Sequence, residues 1–158
     1  MHNIHNIHNI MEIVQLNANA KLSEHFTLGE MTRSISHPEI YNIPSHEAIA
    51  NLTNLCKWLE VLRLRAGTPI RINSGYRSPQ LNKAIHGVAG SNHMTGCAAD
   101  IRVENMEQLI RYAAILLDYA DESKQEFDEL LIEKNRYGAI WLHFAVRPSG
   151  NRRKVRMI

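Results

Sequence analysis

The sequence of 158 residues has only two cysteines, Cys56 and Cys97. They form neither a zinc-ribbon pair nor a redox C-x-x-C, so both read as free thiols and no disulfide framework is expected. No run of about 18 apolar residues occurs, so no transmembrane helix is expected. Neither sign of charge dominates. The formal net charge is +2, which argues against a nucleic-acid-binding protein. What is present is ordinary for a soluble globular protein: 44% hydrophobic and 22% charged residues. That balance excludes disorder, collagen and coiled coil, and the length suits one domain with one core.

The two ends are unusual. Residues 1–10 read MHNIHNIHNI, a strict period of three that matches neither helix nor strand. This reads as an engineered metal-affinity tag with Met11 as the native start, the alternative being a natural disordered leader. Neither has the basic start and continuous apolar stretch of a signal peptide, and localisation stays open. At the other end Arg147, Arg152, Arg153, Lys154 and Arg156 fall within twelve residues with no acid among them. Without those five, residues 1–146 carry −3. A basic segment at 148–158 is expected to be a solvated, frayed terminus; an arm touching an anionic polymer is the other reading.

Between these ends, Thr27 with Glu30 forms a possible capping box, and Ser45 can cap the next helix. Leu52, Leu55, Cys56, Leu59 and Leu62 recur at three- and four-residue steps, predicting a helix of about twenty residues that ends at Gly67. Ile70 and Ile72 alternate as in a short strand. Ser78-Pro79 opens another helix, with Gly87 at its exit. Asn105 starts a helix carrying Leu109, Ile110, Ala113, Leu116 and Leu117. Leu130–Ile132 and Ala139–Leu142 read as antiparallel strands around a turn at 135–138. The order predicts an α+β single domain, a small antiparallel sheet flanked by helices.

Six histidines lie outside the leader, and His93 and His143 differ from the rest in their surroundings. Asp100 is expected to open a strand, with His93 on the loop that feeds it. Gly96 lets that loop fold back. In Trp141-Leu142-His143-Phe144, strand alternation puts Trp141 and His143 on one face and Leu142 and Phe144 on the other. Two imidazoles and one carboxylate are a common ligand set for catalytic zinc, with the fourth position open to water. Spacing alone does not separate this from histidines that serve packing or solvent.

Three blocks add context: Asn73-Ser74-Gly75-Tyr76-Arg77-Ser78-Pro79-Gln80-Leu81-Asn82, Ser91-x-His93-x-x-Gly96-x-Ala98-x-Asp100, and Trp141-x-His143. Together they resemble the zinc D-Ala-D-Ala carboxypeptidase family, which also holds cell-wall endopeptidases, some of them from phages. The opening Leu22–Met31 is similar to the entry segment of the small single-domain members. The resemblance covers residues 21–147, and what it implies is a zinc peptidase domain with a hedgehog/D-Ala-D-Ala-peptidase-like fold. It implies Zn2+ held by His93, Asp100 and His143. Arg77 matches the family arginine that faces the substrate, where a guanidinium can hold a carboxylate or stabilise an oxyanion. Ser91 is expected to orient the loop or contact substrate, and Tyr76, grouped with them on the substrate-binding side, to pack against and steady Arg77.

The sequence departs from the family at the general base. Many relatives have an acid three residues before the last histidine ligand, where this chain has Ile140. Asp128, Glu129 and Glu133 are the candidates on the preceding strand, and Glu133 ends an Asp-x-x-x-x-Glu stretch similar to that of the small members. Glu133 also shares strand parity with Leu131 and Glu129, not with Asp128. Glu133 is therefore the expected base. The implied function is hydrolysis of peptide bonds in peptidoglycan stem peptides, with terminal D-Ala-D-Ala release favoured. An L-Ala-D-Glu or cross-bridge endopeptidase of phage-endolysin type is the alternative, as is a non-catalytic zinc-containing binding module like the hedgehog domain. A monomer is favoured, without a nucleic-acid partner.

Overall fold

The computed structural model describes residues 16–158, so the His-Asn-Ile repeat and Met11 lie outside the described residues. The helices are α1 (Leu28–Thr32), α2 (His46–Ala66), α3 (Pro79–Ala84) and α4 (Met106–Ser123). A 3-10 turn spans Asn92–Thr95. The strands are β1 (Ile72–Ser74), β2 (Ala98–Arg102), β3 (Glu129–Lys134), β4 (Ile140–Ala145) and β5 (Lys154–Met157).

Local chemistry sets the helix ends. The Thr27 side chain accepts from the Glu30 amide and Glu30 answers the Thr27 amide, which completes the capping box. Ser45, Ser78 and Asn105 cap α2, α3 and α4 by accepting from the Ala48, Leu81 and Gln108 amides. Gly67 ends α2 in the left-handed conformation. Helix α3 stops at Ala84, before Gly87, with Ile85 as its cap.

The five strands form one sheet in the order β1-β2-β4-β3-β5. All neighbours are antiparallel except β3 and β5, which run parallel. The sheet is therefore mixed, where a small antiparallel one was expected. Much of the basic segment 148–158 is likewise not frayed. Its last residues build β5, with Leu130 opposite Val155 and Ile132 opposite Met157. Periodicity could not reveal this strand, because Val155 and Met157 remain exposed and contribute little to the core.

One face of the sheet is dry. Ala99, Ile101, Leu130, Leu142 and Phe144 join Leu52, Leu55, Leu59 and Leu62 of α2 and Leu109 and Leu116 of α4 in one core. Trp58 lies at its centre, with Phe144 at 5.3 Å and Phe127 at 6.4 Å between ring centroids. Each leucine buried this way contributes about 1.5–3 kcal/mol. Because strand side chains alternate, the same strands turn Asp100, Glu129, Glu133, Trp141 and His143 to the opposite face. The dry face anchors the sheet, and the other face is left for chemistry.

Candidate metal centre and active-site cleft

Asp100 and His143 are direct partners in the β2–β4 ladder. Asp100 lies in the middle of β2 rather than at its opening. Its Oδ1 is 3.0 Å from Nδ1 of His143. His93 arrives from the 3-10 turn and places Nε2 3.2 Å from the same oxygen. Ser91 caps that turn by accepting from the His93 amide at 3.2 Å. Gly96 ends it with φ +76, and a Cβ there would lie 2.4 Å from the Ala48 carbonyl oxygen. Glycine is thus required both for the backbone angle and for the close approach to α2.

The outer nitrogens of both rings are occupied. His93 Nδ1 donates to the Gly75 carbonyl at 2.7 Å. His143 Nε2 donates to Glu129 Oε1 at 3.0 Å. Those partners leave the second nitrogen of each ring, His93 Nε2 and His143 Nδ1, turned inward toward the Asp100 oxygen. Nitrogen and carboxylate oxygen this close need a cation between them, a proton or a metal ion. The donor atoms of His93, Asp100 and His143 all fall within 4.8 Å of one another, and the set could hold a metal ion. Two nitrogens and one oxygen, with outer oxygens fixing the rings, suit zinc with an open fourth position.

Electrostatics reflect the crowding. Burial alone would raise the pKa of Asp100, but the two imidazoles hold it well below the ordinary range. Burial opposes protonation of His143, yet Asp100 and Glu129 outweigh it and push its pKa up to about 9 in the absence of metal. For Glu133, burial and then the Asp100 charge raise the pKa.

Glu133 borders the ligand set, with Oε1 3.7 Å from His143 Nδ1. Its other oxygen accepts from Trp141 Nε1 at 3.0 Å, so the indole fixes the carboxylate. Arg77 is 9% exposed and faces the same cleft. One of its terminal nitrogens donates to Asn82 Oδ1 at 3.1 Å, while Nε is buried with no partner. Burial lowers the pKa of Arg77, and Asp100 and Glu133 offset this. Its main chain is fixed as well, since the Arg77 amide donates to the His93 carbonyl at 3.0 Å. The preceding Gly75 lets this segment press on α1: a Cβ there would lie 2.3 Å from the Met31 carbonyl oxygen.

The cleft has a volume of about 590 Å³ and also receives Ser91. Tyr76 is not among its lining residues. It is buried in the hydrophobic core, so the structure places it as packing rather than as a substrate contact. Asp128, one of the base candidates, is fully buried and accepts from Asn92, Arg152 and the Arg152 amide. Those bonds lower its pKa to about 2, against the pull of burial. Glu129 is committed to His143 and Asn92.

In the sequence Glu129 stands out only as a candidate base. Asn82, Asn92 and the Gly75 carbonyl emerge as supports only in the structure. Strand parity was the available signal for Glu129. Nothing in the sequence marked the other three as supports.

Two imidazoles, a carboxylate, a further acid and an arginine around one cleft are the equipment of a metal-dependent hydrolase. The family described as Peptidase M15 matches residues 24–127, and the chain belongs to that family. It is a metallopeptidase by that membership, and the metal-ligand set provides a place for zinc. The matched span contains Arg77, His93 and Asp100, while Glu133 and His143 lie beyond it. Among curated proteins none matches the chain.

Proposed function

We propose that the chain hydrolyses peptide bonds in peptidoglycan stem peptides, releasing terminal D-Ala. The supporting observation is the convergence of His93, Asp100 and His143, with the Glu133 carboxylate 3.7 Å from His143 Nδ1. Zinc held by those three residues would supply a Lewis acid and an acidified water. The chain's own residues do the rest. Glu133 accepts the proton of the attacking water and returns it to the leaving amine. Its raised pKa brings it nearer the working pH, as suits a group that must first take a proton and then return it. Trp141 keeps one Glu133 oxygen engaged, so the other faces the reaction. Arg77, with Nε unpartnered, stabilises charge on the scissile carbonyl oxygen or grips the terminal carboxylate. Ser91 holds the loop that carries His93.

A second reading, internal cleavage at L-Ala-D-Glu or a cross-bridge in a phage-type wall lysis, is favoured by the shape of the cleft. Glu133 and Trp141 line it on one side of the ligand row, and Glu129 and Lys154 on the other, leaving room for residues on both sides of a bond. Digestion of purified cell walls followed by mass spectrometry of the fragments decides between them. Loss of one D-Ala identifies the carboxypeptidase; new amino termini within the stem identify the endopeptidase. No chelator-sensitive product of either kind would leave the non-catalytic binding module.

A further inference from the structure

The basic residues of the last twelve positions are not all spread over the surface. Arg147, Arg152 and Lys154 line the same cleft as the metal-ligand set. Fully buried Asp128 pins two of them. It accepts from Nε and one terminal nitrogen of Arg152 at 3.0 and 2.7 Å, and Nε of Arg147 lies 3.1 Å away. Asn92, next to His93 in sequence, accepts from the same Arg147 nitrogen at 2.9 Å. Among the described residues, the terminal nitrogens of Arg147 and the ammonium of Lys154 have no hydrogen-bond or ion-pair partner. A built, preoriented cationic wall thus faces the cleft with donors to spare.

Resting on the peptidase reading above, we infer that Arg147, Arg152 and Lys154 form a subsite for a substrate carboxylate located away from the scissile bond. The sheet sets its distance. Lys154 lies on β5, two strands from His143 on β4. Neighbouring strands are about 4.8 Å apart, and Lys154 pairs with Glu129, two residues along β3 from the Leu131 that faces His143, so the subsite lies about 12 Å from that metal ligand. An extended peptide advances about 3.3 Å per residue, so the carboxylate belongs about three to four residues from the cut. In a stem peptide cut at its terminal D-Ala-D-Ala bond, the free glutamate carboxylate stands at that distance. Charge complementarity here selects acidic peptides, and Asp128 acts as the pin that keeps two guanidiniums aimed rather than as a proton acceptor.

The test compares two stem pentapeptides, one with the free glutamate carboxylate and one with that group amidated. Binding is measured by calorimetry on zinc-loaded Glu133→Gln protein, and turnover on the unsubstituted enzyme. The acid should bind about tenfold more tightly than the amide at low salt. The preference should shrink as salt rises. Lys154→Gln should reduce it strongly, while Lys57→Gln, on exposed α2 surface, should keep it. Lys154 is chosen because its side chain holds no other group in place, whereas Arg152→Gln would strand buried Asp128. Equal affinity for both peptides, or a preference unchanged in Lys154→Gln, overturns the subsite. Acid-selective binding without cleavage of either peptide would keep the subsite and reject the peptidase reading. Cleavage of both peptides with equal binding would do the reverse.

Discussion

Leu131 stands directly across the β3–β4 ladder from His143. The two residues that flank Leu131 on the same face, Glu129 and Glu133, therefore reach opposite nitrogens of one imidazole. Glu129 takes Nε2 at 3.0 Å, and Glu133 lies 3.7 Å from Nδ1. A single register thus gives two chemically identical side chains different places, one holding the outer nitrogen of the ring and one beside the metal-ligand set.

Protein beginning at Met11 should bind one zinc. His93→Ala, Asp100→Ala or His143→Ala should each abolish tight binding. His25→Ala should not, since that ring is engaged with Glu60 at 2.7 Å on the outside of the molecule. Elemental analysis after reconstitution measures this; a zinc-free product would reject the site. The leader is left out so that its three histidines, themselves metal-ligand side chains, do not enter the count.

Glu133→Gln should keep the zinc and the fold but lose about 10²–10⁴ in turnover, the usual cost of a missing general base. Near-normal turnover in this variant would remove Glu133 from the mechanism.

Glu129→Gln should instead act on the metal. Losing the charged partner of His143 Nε2 should weaken zinc binding about 10–100-fold, measured by competition with a chromophoric chelator. An unchanged affinity would mean that Glu129 does not orient the ring.

Asp128→Asn should unfold more readily, because it removes charge from a buried carboxylate paired with two arginines. Its folded pKa, about 2, lies below the ordinary value of about 3.9. The stability it contributes is therefore fully present above about pH 4 and is lost as pH falls through about 2. Denaturant titrations between those limits should show that loss in the unsubstituted protein and a shallower slope in Asp128→Asn.

Arg77→Lys should separate terminal from internal cleavage. Lysine keeps the charge but loses the two-pronged fork. If Arg77 reads a terminal carboxylate, the free-acid substrate should lose far more in kcat/KM than the same peptide amidated at its end. Equal losses would assign Arg77 to the scissile carbonyl.

Much of the helical framework was legible in the sequence because its signals are local. Thr27, Ser45, Ser78 and Asn105 each act within one turn of chain, and each caps the helix expected of it. Strand alternation correctly put Trp141 and His143 on one face and Leu142 and Phe144 on the other. The family resemblance implied His93, Asp100 and His143 as a set, and the structure brings their donor atoms together.

Other features depend on pairing between distant segments, which no local pattern encodes. Strand β5 is exposed on the side where hydrophobic alternation would have revealed it, so only its hydrogen bonds to β3 identify it. Parity placed Glu129 and Glu133 on one face but could not tell them apart, since both are glutamates two residues from Leu131. The β3–β4 register and the Trp141 indole did that. Asp128 and the basic residues of the final segment read separately as a candidate base and a frayed end. They become one cationic wall only because the chain crosses the start of β3 on its way to β5, where a buried carboxylate must find its counter-charges.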